Sequence, residues 1–257
     1  FIAMLLVGML AKAEPSAELN WQELGYSQQK LTDTYWIDRA KKPESVLLSP
    51  SQVLAANKRL ATVDTSVSAL QNWPSKSSAV QITDKINRIS KRPARALYSQ
   101  DGFLLDASRI DALVANLNLN AVQHAGAVSF GLTTKRSALR TFPSDLRAFS
   151  APGDTDIDRF QESAVFPGMP VLVLHQSADN KWLFVQTELY AAWIKADAIA
   201  TGSRETVLDY MTKQPRLIIT GANVRTVFSP DKAAVSDLAL DMGISLPLLE
   251  QWPNTQA

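Results

Sequence analysis

The sequence of 257 residues contains no cysteine and only two histidines, His124 and His175. Without a thiol, the chain can form no disulfide framework and no cysteine-based metal site, and it has no thiol nucleophile. Two histidines are too few for a histidine-rich metal centre, so we expect neither a metal site nor a cofactor. An excess of charge is also lacking, since 26 Lys and Arg residues oppose 25 Asp and Glu residues. This balance argues against a nucleic-acid-binding protein.

The chain opens with an apolar run from Phe1 to Leu10, followed by Ala11-Lys12-Ala13. This pattern is typical of the end of a secretory signal peptide, and the run is too short to span a bilayer. We interpret residues 1–13 as a signal-peptide remnant, so that the chain begins within a longer gene product. A buried N-terminal helix is the alternative. The signal pattern leads us to expect an exported protein, periplasmic or extracellular. No cysteine follows the run, so there is no site for a lipid anchor and we expect no stable membrane anchor.

Residues 14–127 have the pattern of a mainly helical region. Ser49 and Pro50 are favourable first residues of a helix, because serine caps the backbone and proline fits the first turn. A second helix is predicted where isoleucines recur at helical spacing from Ile82 to Ile89, ahead of Pro93. Asp106 is the predicted cap of a third helix. This region is therefore interpreted as an N-terminal helical domain.

Residues 128–202 are instead rich in short β-prone runs separated by turn residues. Four strands are predicted, at residues 139–142, 171–174, 182–185 and 193–194. Several short strands at this spacing favour a small antiparallel barrel. Residues 203–214 are interpreted as a linker.

Residues 215–257 repeat part of this pattern in the same order. Leu139-Arg140-Thr141 is echoed by Val224-Arg225-Thr226, and the segment from Gly168 to His175 is echoed by the segment from Gly243 to Glu250. The second copy has no counterpart of the strands around Trp182 and Trp193. We therefore expect a partial second barrel at residues 215–257 and a chain that stops within it.

The residues of the first barrel resemble a known family. The segments that carry the resemblance are residues 137–143, 156–163, 168–175, 179–186 and 192–197. They are similar to the first bacterial SH3-like domain of secreted NlpC/P60-type cysteine peptidases, in which a helical stabilising segment precedes two SH3-like barrels and a papain-like domain. The resemblance implies an α+β fold: a mainly helical segment, one complete SH3-like barrel and the first part of a second.

The activity implied by the resemblance is hydrolysis of peptidoglycan stem peptides, between γ-D-glutamate and a diamino acid. That reaction needs a cysteine thiolate and a histidine base, and this chain has no cysteine, so none of the family's catalytic residues can be placed on it. We expect a non-catalytic region that targets the cell wall and gates substrate, with stem peptides and its own downstream catalytic domain as partners. A stand-alone periplasmic binding or scaffold protein is the alternative. An enzyme of unrelated mechanism has less support, because motifs such as Gly-x-Ser-x-Gly are absent.

The resemblance also suggests where substrate would bind, because the family's first barrel helps to wall off the substrate cleft. The candidate residues combine charged groups for the peptide ends with aromatic rings: Arg140, Asp158, Arg159, Gln161, Tyr190 and Trp193. Hydrogen bonds within the Asp158–Gln161 loop segment, and packing of the two rings against a neighbouring domain, are the structural alternatives.

Three further features have structural and functional interpretations. Trp182 is predicted to pack in the core, and His175 to bond the backbone at a strand end. A basic cluster lies before and after Pro93, comprising Lys85, Arg88, Lys91, Arg92 and Arg95. A solvated helix face is the first interpretation of this cluster, and a patch for anionic wall polymers is the second.

Overall fold

The computed structural model describes residues 25, 27–42, 44–64, 67–122 and 126–248. The predicted signal-peptide remnant at residues 1–13, His124 and the final residues 249–257 of the predicted second barrel lie outside the described residues. The chain divides into two compact units, Phe1–Ala56 and Asn57–Ala257.

The first unit contains a short helix α1 (Asp33–Ile37) and the beginning of α2 (Pro50–Val63). The start of α2 lies where the sequence predicts it. Ser49 Oγ accepts a hydrogen bond from the backbone N–H of Gln52, and Gln52 Oε1 accepts one from the backbone N–H of Ser49. These reciprocal bonds satisfy two amide groups at the helix start, which is why this segment begins a helix.

The second unit contains the helices α3 (Ala79–Ile89), α4 (Ala107–Asn116) and α5 (Arg204–Thr212). The predictions for α3 and α4 are confirmed. Ser78 and Gln81 form a capping box at the start of α3, and Asp106 caps α4 by accepting from the backbone N–H of Arg109. Both helices are amphipathic and bury one apolar face.

In the part of the second unit that the structure describes, the strands form one large sheet and three short ribbons, all antiparallel. The bounds are β1 (Lys76–Ser77), β2 (Gly126–Ala127), β3 (Ser129–Thr133), β4 (Ser137–Arg140), β5 (Gln161–Val165), β6 (Pro170–Gln176), β7 (Trp182–Gln186), β8 (Ala191–Lys195), β9 (Ile199–Gly202), β10 (Arg216–Ile218), β11 (Val224–Arg225), β12 (Ala239–Leu240) and β13 (Ser245–Pro247). The large sheet has the strand order β5-β4-β8-β7-β6-β3-β9.

The central strands of this sheet are buried on both faces, and their side chains alternate between two cores. Trp182 and Phe184 of β7 and Trp193 of β8 pack in one core, whereas Val185 and Ile194 pack in the other. This alternation follows from the period of two along a strand. Burial on both faces explains why these strands read as continuous apolar runs.

Helices α3 and α4 cover the face that carries the large aromatic residues. The apolar faces of these helices contribute Ile82, Ile86, Ile110 and Leu113 to the same core as Trp193. A helical part and a large antiparallel sheet are therefore both present, and the predicted α+β fold is confirmed. The helices and the sheet share a core, since packing crosses the predicted limit between residues 127 and 128.

The second copy of the barrel pattern reproduces the backbone hydrogen bonds of the first. In the first copy, the N–H of Gly168 donates to Thr133 O at 2.7 Å and the N–H of Thr133 donates to Met169 O at 2.9 Å. In the second copy, the N–H of Gly243 donates to Ile219 O at 2.8 Å and that of Ile219 donates to Ile244 O at 2.9 Å. The strand pairs follow the same correspondence, with β10–β13 matching β3–β6 and β11–β12 matching β4–β5.

Candidate functional site

Arg140 and Asp158, two of the residues expected to meet substrate, bond to each other and to the surrounding backbone. Arg140 Nη1 lies 2.5 Å from Asp158 Oδ2, with side chains that are 6% and 7% exposed. Asp158 Oδ1 accepts from the backbone N–H groups of Ala148 and Phe160. The sequence leaves two interpretations of this loop, contact with substrate and hydrogen bonds within the loop. The structure shows the hydrogen bonds within the loop.

The same ion pair recurs in the second copy. Arg225, the counterpart of Arg140, lies 3.0 Å from Asp237, and both side chains are more than half exposed, at 58% and 57%. In each copy the arginine ends a strand and the aspartate precedes the partner strand. An Arg–Asp pair is thus a recurring part of this barrel pattern.

Trp193, Arg159 and Gln161 occupy three different environments. Trp193 is fully buried, and its Nε1–H donates to Ser90 Oγ at 3.1 Å, so it offers no surface to a ligand. Arg159 is exposed and donates to Ser150 Oγ at 2.8 Å. Gln161 lies on β5 beside a cleft of about 350 Å³, which Arg140 and Asp158 also line.

This cleft, lined by the Arg140–Asp158 pair, is rich in basic residues, but each further cation in it faces a carboxylate. The ion pairs are Lys135–Asp197 at 2.9 Å, Arg136–Asp241 at 3.3 Å, Lys195–Asp145 at 2.9 Å and Arg147–Asp158 at 3.9 Å. Four carboxylates thus face five cations, because Asp158 is shared by Arg140 and Arg147, so most of the positive charge is compensated within the protein and the attraction for an anionic ligand is reduced.

A second cavity, of about 530 Å³, lies between α3 and the turn that joins β7 to β8. Tyr190 lines it together with Glu162, Lys85 and Arg88, while Ile89 and other residues provide apolar surface. We call this space the α3 cavity. Gln161 and Glu162 are neighbours on β5, so the alternation of the strand directs one toward each cavity.

Glu162 is held at the α3 cavity by two hydroxyl groups. The Tyr190 hydroxyl donates to Glu162 Oε2 at 2.5 Å, and Thr141 Oγ1 donates to Oε1 at 2.7 Å. The hydrogen bond to Glu162 raises the pKa of Tyr190 to about 12, since the carboxylate stabilises the protonated phenol, and burial acts in the same direction. At neutral pH the pair therefore consists of a neutral hydroxyl donor and an oriented carboxylate, which suits contact with an ammonium group or a peptide N–H.

The turn after β7 fixes the position of Tyr190. Thr187 Oγ1 accepts from the backbone N–H groups of Leu189 and Tyr190, and the buried Gln186 donates from Nε2 to the carbonyl oxygens of Thr187 and Tyr190. These hydrogen bonds take the place of the backbone pairing between β7 and β8, which ends at Gln186 and Ala191. The ring is thereby presented at the cavity mouth with its hydroxyl on Glu162.

Of the six predicted site residues, the structure brings Arg140, Asp158 and Gln161 to one cleft and Tyr190 to the other cavity. Glu162 was not predicted as a site residue, and Lys85 and Arg88 were considered only as part of the basic cluster, whose second interpretation is a patch for anionic wall polymers. The alternation along β5 is a signal for Glu162, and the three-residue spacing of Lys85 and Arg88 on α3 is a signal that both lie on one helix face. Their meeting with Tyr190 depends on how α3 packs against the sheet.

The described residues contain neither a metal-binding cluster nor a membrane-spanning helix. Within the ranges that the structure describes, no group of three or more His, Asp or Glu side chains is arranged to hold a metal ion. Across the same ranges, no helix has the length and apolar character needed to cross a membrane.

Residues 147–195 match the family model of the SH3 domain of the SH3b1 type. This segment spans β5 to β8 and includes both Glu162 and Tyr190. The first barrel is thus an SH3-like domain of the bacterial kind, and the fold expected from the sequence is present.

A solved structure described as a novel NlpC/P60 endopeptidase from Photobacterium damselae subsp. piscicida has a similar fold. The TM-score is 0.54 at 18% sequence identity, and the similarity covers 67% of this chain and 38% of that protein. The chain thus spans well under half the length of that endopeptidase. None of the curated proteins matches this chain at a significant level.

Proposed function

We propose that this chain is the non-catalytic, wall-binding and substrate-gating region of an exported peptidoglycan hydrolase of the γ-D-glutamyl-diamino acid endopeptidase type. The SH3b1-type match and the fold similarity to a protein described as an NlpC/P60 endopeptidase support the proposal. The absence of cysteine supports a non-catalytic role, because that reaction needs a thiolate. In this proposal a cysteine peptidase domain elsewhere in the same protein performs the hydrolysis.

The observation that carries the proposal is the chemistry of the α3 cavity. Peptidoglycan stem peptides are short and carry both amino and carboxylate groups. The cavity offers an oriented carboxylate at Glu162, a hydroxyl donor at Tyr190, and two cations at Lys85 and Arg88. A small number of placed polar groups beside an apolar surface is typical of a peptide or small-molecule site.

The position of the cavity supports the proposed gating role. Tyr190 projects from the turn between β7 and β8, at the edge of the barrel, and is 37% exposed. A catalytic domain beside this edge would have Glu162 and Tyr190 as one wall of its substrate cleft. The two residues would then accept short peptides whose ammonium group can reach the carboxylate.

The test is co-sedimentation of the full chain with purified peptidoglycan sacculi, together with chromatography of the soluble fraction. We expect the chain to sediment with the sacculi and to release no soluble peptide. Glu162→Gln is expected to reduce binding, whereas Glu205→Gln, at an exposed glutamate of α5 that lines neither cavity, should leave it unchanged. Amide cleavage by this chain, or a chain that stays in the supernatant, would contradict the proposal.

A further inference from the structure

Two cations of the α3 cavity are not neutralised by the protein. Lys85 and Arg88 lie one helical turn apart on α3, and both line the cavity. Among the residues that the structure describes, no carboxylate lies within ion-pair distance of either side chain. The cations of the 350 Å³ cleft differ in this respect, since each of them lies within 4 Å of a carboxylate.

Lys85 contacts the neutral side-chain amide of Gln186, whose orientation is fixed by hydrogen bonds of its own. Lys85 Nζ donates to Gln186 Oε1 at 2.8 Å. Gln186 is buried, and its Nε2 is engaged by the carbonyl oxygens of Thr187 and Tyr190, so its Oε1 is directed at the cavity. The ammonium group is thus positioned without being neutralised, and burial followed by the charge of Arg88 lowers the pKa of Lys85.

We infer that Lys85 and Arg88 form a carboxylate-binding subsite of the α3 cavity, and that its ligand is a peptide with a free carboxylate. The inference deepens the proposed function and rests on it. Two like charges in a partly enclosed space repel each other, and an anion between them relieves this repulsion while accepting hydrogen bonds from both.

The charge of the whole cavity favours a carboxylate over a phosphate. The carboxylate of Glu162 lines the same cavity, which disfavours a ligand that carries two negative charges close together. The apolar surface of Ile89 and Leu189 suits the carbon chain of a peptide and offers nothing to a free inorganic anion. A singly charged carboxylate on a peptide satisfies both conditions.

The rest of the basic cluster that includes Lys85 and Arg88 does not take part. Arg92 forms an ion pair with Asp111 at 2.5 Å, and Lys91 and Arg95 do not line the cavity. Lys91 is therefore a matched control for Lys85: it is a lysine of the same cluster, it lies just beyond the end of α3, and it carries the same charge outside the cavity.

The test measures binding of the tripeptide L-alanyl-γ-D-glutamyl-diaminopimelate to the full chain by calorimetry, against the same peptide with its carboxylates amidated. We expect the amidated peptide to bind about tenfold more weakly, as loss of a charge-assisted hydrogen bond predicts. Lys85→Gln together with Arg88→Gln should abolish this difference, while Lys91→Gln should preserve it. Inorganic phosphate at the same concentration should compete weakly.

Each result supports or overturns the inference. Equal affinity for the two peptides in the unchanged chain overturns it while leaving sacculus binding, and hence the proposed function, intact. A tenfold preference that survives in the Lys85→Gln, Arg88→Gln variant places the carboxylate elsewhere and also overturns it. Strong competition by phosphate without loss on amidation identifies a general anion site and overturns it. Absence of binding to both sacculi and peptide removes the proposed function together with the inference.

Discussion

The guanidinium of Arg140 and the carboxylate of Asp158 are buried, whereas their counterparts Arg225 and Asp237 are exposed. The same Arg–Asp pair is thus buried in the first copy and exposed in the second, so the second pair serves as a control for the effect of burial. We expect Arg140→Gln to lower the free energy of unfolding by about 3–5 kcal/mol, because it removes the buried cation from a buried carboxylate and leaves only the more exposed Arg147, at 3.9 Å. Arg225→Gln should cost less than about 1 kcal/mol, because water solvates the exposed aspartate.

Urea denaturation of the two variants, followed by tryptophan fluorescence, measures this difference. Equal and small effects would contradict the structural role of the Arg140–Asp158 pair and would return these residues to the candidate substrate site. A larger effect for Arg225→Gln than for Arg140→Gln would contradict the burial-based argument altogether.

His175 illustrates a residue whose chemistry is set by its neighbours. Its Nε2 lies 3.1 Å from the carbonyl oxygens of both Leu117 and Asn118, as expected for a strand-end histidine bonded to backbone. Burial is the main cause that lowers the pKa of His175 from its ordinary value of 6.5, and the two backbone bonds oppose it. The folded state therefore favours the neutral ring.

The sign of the pH effect follows from this lowered pKa. The unfolded chain binds a proton at His175 more readily than the folded chain, so the contribution of this residue to stability is present above pH 6.5 and is lost as the pH falls toward the folded pKa. We expect the histidine signal that His175→Gln removes from the NMR spectrum to titrate below 6.5. Titration above 6.5 would contradict the burial of the ring.

At the level of residues, the sequence predicts roles that depend on local pattern. Trp182 in an alternating strand is buried and His175 is bonded to backbone, so both predictions are confirmed. That Glu162 lines the same cavity as Lys85 and Arg88 has no local signal, since β5 and α3 are far apart in the chain. Only the packing of α3 on the sheet brings these groups to one cavity.

Among the elements, the turns before β6 and β13 test how closely the two copies correspond. Gly168 has φ +82° and Gly243 has φ +89°, a region where a side chain is strained. A Cβ at Gly168 would lie 2.6 Å from the hydroxyl of Tyr210, whereas a Cβ at Gly243 would meet nothing within 4 Å. A side chain at either position would therefore strain the backbone, but only a side chain at Gly168 would also collide with Tyr210.

Gly243→Ala is therefore expected to cost about 1–2 kcal/mol from backbone strain alone. Gly168→Ala should lower the melting temperature further, because the ring of Tyr210 has to move away from its contact with Arg216, where ring centroid and guanidinium are 5.7 Å apart. Differential scanning calorimetry of the two variants gives the comparison. Identical shifts would indicate that Tyr210 moves without cost.

The sequence predicts best the helices that begin at a capping residue and the strands that contain an apolar run. Helices α2, α3 and α4 start at capping residues, and β6, β7 and β8 contain the strands predicted for them. The strand predicted at residues 139–142 overlaps β4 only at residues 139–140, because β4 ends at Arg140. Strands β3, β5 and β9 were not predicted, because Ser129–Thr133, Gln161–Val165 and Ile199–Gly202 mix polar, small and apolar residues without clear alternation. These strands are fixed by their partners in the sheet.

At the scale of the molecule, the second unit is organised around a core that helices and sheet build together. Periodicity predicts which face of α3 and α4 is buried, but it does not say against what. The structure places that face on Trp182, Phe184 and Trp193. Because α3 carries Lys85 and Arg88, this shared core also sets the geometry of the α3 cavity.

One buried hydroxyl links the end of α3 to the barrel. Ser90 follows the last residue of α3, accepts a hydrogen bond from Trp193 Nε1–H and donates one to Thr141 O at 2.6 Å. Removing the hydroxyl leaves a buried donor and a buried acceptor unpaired. We expect Ser90→Ala to cost about 1–3 kcal/mol, and Ser163→Ala, at an exposed serine of β5, to cost almost nothing.

Hydrogen exchange read by mass spectrometry tells whether the helices and the barrel unfold together. If they form one cooperative body, Ser90→Ala should accelerate exchange of the slowest amides in α3 and in β8 by the same factor, because both open through the same global event. Thr141 O and Trp193 Nε1 belong to the barrel, so this coupling is transmitted by the bonds that Ser90 makes. Faster exchange in α3 with unchanged exchange in β8 would mean that the helix opens on its own. The α3 cavity would then be assembled from two independently moving parts, and Lys85 and Arg88 would have no fixed position relative to Glu162.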